Sequence, residues 1–87
     1  MNSAFAADAV KGEFANHCTN GLSKGVFHTT KCEINESYNG KIYCFSNDGA
    51  RDSFLLDQDN MIKTAETFYA KNKEANIDVA REKISQA

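Results

Sequence analysis

Over residues 34–45 apolar and polar side chains alternate with a period near two, interrupted by Asn39-Gly40. Both interrupting residues tolerate positive φ, which a two-residue type I′ hairpin turn requires. The pattern predicts a β-hairpin of fixed register: Tyr38 opposite Lys41, Asn35 opposite Cys44 and Ile34 opposite Phe45. One face then carries Ile34, Tyr38, Tyr43 and Phe45 and forms the core side. The other carries Asn35, Ser37, Ile42, Cys44 and Ser46. Upstream, residues 26–34 mix apolar and β-branched side chains, and residues 16–25 are turn-rich with room for one helical turn.

At Ser46 the period becomes helical. Ser46 or Asn47 can cap a helix start, with Asp48 in the first turn where the helix dipole favours a negative charge. This short helix runs through Phe54 and Leu55 to about Leu56, and Asp57-Gln58-Asp59 breaks it and caps the next. From Asn60 onward Ile62, Ala65, Phe68/Tyr69, Ile77, Ala80 and Ile84 form one helical stripe. Neither Pro nor Gly interrupts the chain after Met61, so one long helix, or two with a bend near residues 72–76, is expected. A single helix there would be ~40 Å long. The expected fold is α+β: a small antiparallel β-hairpin packed against a short helix and a long C-terminal helix.

Length and composition narrow the function classes. At 87 residues the chain is one domain. It has no apolar run of about 18 residues, so no membrane span is expected. A net charge of −2 gives no electrostatic footprint for nucleic acid. Ala4-Phe5-Ala6 before Ala7-Asp8 has the small-residue pattern of a signal-peptidase site. Residues 1–15 therefore read as a signal-peptide remnant and loosely held N-terminal segment, and residues 16–87 as a single domain of a periplasmic or secreted protein. Tyr38, Tyr43, Phe45, Phe54, Phe68 and Tyr69 fall on expected buried faces and read as core. Asp57 and Asp59 read as caps, and no nucleophile–base triad or phosphate-cradling loop is present, so the chain is not expected to be an enzyme.

Three cysteines allow one disulfide and one remaining thiol. Cys32 and Cys44 flank the hairpin and are weakly preferred, with Cys18–Cys32 and Cys18–Cys44 as rivals. Cys32 shares parity with Ile34 while Cys44 belongs to the opposite face. A Cys32–Cys44 bond thus requires Cys32 to precede the regular ladder, where alternation stops applying.

The stretch Gly40-Lys41-Ile42-Tyr43-Cys44-Phe45-Ser46-Asn47-Asp48-Gly49-Ala50-Arg51-Asp52-Ser53-Phe54, followed by Leu55-Leu56-Asp57, resembles the YHS domain family. Upstream, Cys18-Thr19-Asn20-Gly21-Leu22-Ser23-Lys24-Gly25 is similar to a Cys-containing run of exported YHS-type proteins. The resemblance spans about residues 16–70. It implies a small α+β fold and metal handling, with copper or zinc as the ion. Metal-type members place Cys where this chain has Ser46 and Ala50, and neither replacement is a soft-metal ligand. Of a thiolate set only Cys18 remains. The candidate ligands are Cys18 and His17, completed by His28 or by another Cys brought near by folding, because adjacent side chains point apart in an extended segment. The expected function is that of a small exported, non-enzymatic YHS-like module that binds or handles a copper-type metal. The alternative is a disulfide-stapled protein-interaction module that binds no metal. It would dock a protein partner or a second copy through Ile77, Ala80 and Ile84 of the C-terminal helix.

Overall fold

A computed structural model of the protein describes residues 10–86, with side chains described for residues 10–74. The cleavage pattern at residues 4–8 and the side chains of Ile77, Ala80 and Ile84 lie outside the described residues. The elements in order are a 3-10 turn at Phe14–Asn16, α1 (Thr19–Ser23), β1 (Ile34–Tyr38), β2 (Lys41–Phe45), α2 (Asp48–Leu56) and α3 (Gln58–Gln86). The fold is mixed α+β, with a two-stranded antiparallel sheet packed against helices.

The hairpin has the expected register, Ile34 pairing Phe45, Asn35 pairing Cys44 and Tyr38 pairing Lys41. Asn39 (φ 52°) and Gly40 (φ 78°) supply the two positive φ values of the turn. Tyr43 and Phe45 are buried on the core face against Phe54 of α2, with ring centroids 5.5 and 5.0 Å apart. Tyr38 meets the same ring edge-on at 6.3 Å. Cys18 and Ala50 complete this cluster, and Phe14, Ile34, Met61 and Ile62 pack around it.

α2 begins at Asn47, whose side-chain oxygen accepts from Ala50 N at 2.8 Å. That satisfies one of the donors a helix start leaves open. Asp57 ends α2, and its carbonyl accepts from Met61 N at 3.0 Å to open α3. α3 then runs as one helix of 29 residues rather than two. α1 packs chiefly against α3, and Leu22 of α1 and Ala65 of α3 are fully buried. The Tyr38 hydroxyl donates to Asp59 Oδ1 at 2.7 Å, tying the hairpin to the first turn of α3.

The second face of β2 is covered as well. Cys32 and Cys44 form a disulfide, and both are fully buried. Cys32 precedes β1 and has φ 60°, a left-handed conformation. This departure from the extended backbone is how a residue of the same parity as Ile34 reaches the face opposite to it. Residues 10–16 cross above the bond, and Glu13 N donates to Ile42 O at 2.8 Å along the free edge of β2. Phe14, Ala15 and Asn16 are consecutive left-handed residues with φ of 59°, 52° and 65°. A non-glycine residue there costs roughly 1–2 kcal/mol, so the turn depends on its tertiary contacts.

Candidate functional site

Cys18 lies where three parts of the chain meet. Its N–H donates to His28 O at 2.8 Å, its backbone bridges Cys44 of β2, and its Sγ accepts from Ser46 N at 3.3 Å. The residue is 2% exposed, and its sulfur is not part of the disulfide. A cleft of about 340 Å³ opens beside it, lined among others by Asn20, Lys24, His28, Ser46 and Ala50. Gly21 lines the cleft with the two candidate ligands. A Cβ added there would stand 3.0 Å from His28 Cδ2, 3.3 Å from Val26 O and 3.6 Å from Cys18 Cβ. Glycine at this position lets the backbone of α1 approach the His28 ring and Cys18 Cβ closely.

The structure thus brings Cys18 and His28 to one cleft and leaves His17 outside its lining. His17 and Cys18 both have extended backbone, and their side chains diverge. His17 Nδ1 lies 2.8 Å from Phe14 O; a carbonyl only accepts, so Nδ1 carries the proton. Its ring meets Phe27 edge-on at 5.3 Å and lies 6.2 Å from Tyr69. Ser46 and Ala50 border the same cleft as Cys18.

Among the described residues no group of three or more His, Cys, Asp or Glu side chains is arranged to hold a metal ion. The cleft's donor set is one thiol and one imidazole. That set does not fit a structural zinc site, which takes four protein ligands, or a catalytic one, which takes three. It fits a soft ion that accepts low coordination, for which thiolate is the preferred ligand. Two further groups were not read from the sequence. Lys24 and Asn20 line the cleft, and Asn20 Oδ1 is buried without a hydrogen-bond partner. Their one sequence signal is i, i+4 spacing across a helical turn, which is too common to mark a site.

Two tyrosines have raised pKa values. The hydrogen bond to Asp59 holds the Tyr38 proton, since ionisation would set a phenolate against a carboxylate. For Tyr43 the main cause is burial beside the core, with the charges of Glu13 and Glu66 adding to it.

No helix among the described residues is long and apolar enough to cross a membrane. Compared with family models, curated proteins and solved structures, the chain matches none.

Proposed function

We propose that the protein is a small exported, non-enzymatic module of YHS type that binds a soft metal ion, copper(I), in the cleft at Cys18. The observation that carries this reading is that Cys18 and His28 line one cleft. Cys18 Sγ and the His28 imidazole are the two ligands, and His17 is not one of them. With two donors the ion is held in an open, low-coordinate setting, which suits transfer better than storage. Export is supported by the Ala4-Phe5-Ala6 pattern and by the Cys32–Cys44 disulfide, a bond that persists in oxidising compartments.

Native mass spectrometry of the disulfide-intact chain with one equivalent of copper(I), delivered anaerobically, tests the assignment. A 1:1 adduct that disappears in Cys18→Ser and weakens in His28→Ala is expected. Absence of the adduct, or its survival in Cys18→Ser, contradicts it.

The interaction-module reading is favoured by the length of α3. At 29 residues it is about 43 Å long, more than a domain of this size needs to cover its core. In that reading Ile77, Ala80 and Ile84 dock a partner or a second copy. Sedimentation of the full chain and of a chain truncated after Ala75 distinguishes the two. Concentration-dependent dimerisation lost on truncation supports docking through the helix, and identical monomeric behaviour of both removes self-association.

A further inference from the structure

Residues 10–16 form a strap across the Cys32–Cys44 disulfide, and the two are coupled in two ways. The first coupling is steric. A Cβ at Gly12 would collide with Cys44 Sγ and stand 3.1 Å from Cys32 Sγ, so the Gly12 backbone rests directly on the bonded sulfurs. The second is a hydrogen-bond relay. Cys32 N donates to Thr30 Oγ1 at 3.0 Å, and Thr30 Oγ1 and N donate to Asn16 O at 2.6 and 3.2 Å. Asn16 closes the strap on itself, its Oδ1 accepting from Gly12 N at 2.6 Å and its Nδ2 donating to Val10 O at 3.0 Å. The relay ends on backbone in a disfavoured conformation on both sides, at Asn16, which follows left-handed Phe14 and Ala15, and at Cys32. Such conformations persist only where surrounding contacts over-determine them.

We propose that the strap is a redox-sensitive latch, closed while Cys32 and Cys44 are bonded and lifted when that bond is reduced. In the step, transient local opening of the strap exposes the buried sulfurs, and a thiolate of a dithiol reductant attacks one of them and forms a mixed disulfide. The reductant's second thiolate then breaks that bond and the reductant leaves as its own disulfide. Its two electrons and two protons end on Cys32 and Cys44 as thiols. Two thiols need more room than two bonded sulfurs, and the Gly12 backbone occupies the adjacent space. Cys32, released from its tether, returns to an extended conformation and withdraws its N–H from Thr30. The left-handed turn loses its support. Lifting uncovers Tyr43, whose ring lies 6.1 Å from that of Phe14, and frees the backbone that leads into Cys18. The inference does not depend on what the cleft binds.

Residue-resolved amide hydrogen exchange on the full chain, before and after treatment with a dithiol, tests the latch. Glu13 and Thr30 amides report the strap, and the hydrogen-bonded amides of β1 and β2 report the hairpin. Reduction is expected to speed exchange at Glu13 and Thr30 at least tenfold more than in the hairpin. The double variant Cys32→Ser, Cys44→Ser should reproduce this without reductant, and Gly12→Ala should open the strap with the disulfide intact. Unchanged protection at Glu13 and Thr30 after complete reduction overturns the proposal. So does loss of protection in strap and hairpin to the same degree, which makes the bond a staple of the whole domain.

Discussion

Phe54 meets three rings of the hairpin at once and has no exposed surface, so its side chain joins α2 to the sheet. Phe54→Ala is expected to cost ~3–5 kcal/mol in urea denaturation, the usual range for a buried aromatic replaced by a cavity. A loss under about 1 kcal/mol would mean that the site collapses to fill itself. Asn47→Ala removes the cap of α2 and is expected to cost about 1 kcal/mol in the same measurement. The tyrosines set a pH dependence. Tyr38 and Tyr43 hold their protons more tightly folded than unfolded. The unfolded chain therefore loses those protons first as pH rises past about 10. Their contribution is complete below that pH and falls above it, until the folded tyrosines also ionise. Thermal melts between pH 9 and 11 should show a declining midpoint, with a smaller decline in Tyr43→Phe.

At the scale of elements, the disulfide closes a short loop, its cysteines 12 residues apart. Its removal in Cys32→Ser, Cys44→Ser is expected to cost about 3 kcal/mol on the loop-entropy model, measured by urea denaturation. The hairpin register, a helix start capped at Ser46 or Asn47 and a long helical run after Met61 were legible in the sequence because each is set locally. Asn39-Gly40 specifies its own turn, and Asn47 bonds a residue three positions away. The strap was not legible, because Phe14, Ala15 and Asn16 disfavour the backbone they adopt, and distant partners, Thr30 bonded to Asn16 and Ile42 bonded to Glu13, help hold the segment in place. The same applies to Cys32, whose left-handed backbone resolves the parity conflict of the chosen disulfide. In the candidate site, Cys18 and His28 were legible as residue types and His17 was grouped with them by adjacency alone. The extended backbone through His17 and Cys18 separates the two, and no spacing rule could bring in Lys24 and Asn20.

At the scale of the molecule, the two faces of a small hairpin carry different tasks. One packs on α2 and makes the core, while the other holds the disulfide under the strap. Cys18 lies beside β2 between them, bridging Cys44 and accepting from Ser46. This placement joins the proposed metal cleft to the fold through the backbone bonds of Cys18. The most direct measurement is the ligand count around copper(I) by X-ray absorption, at one equivalent of the ion and with the Cys32–Cys44 bond intact. The account predicts one sulfur and one imidazole nitrogen in the first shell, with the sulfur lost in Cys18→Ser. A shell without sulfur, or one with two or more sulfurs, would contradict it.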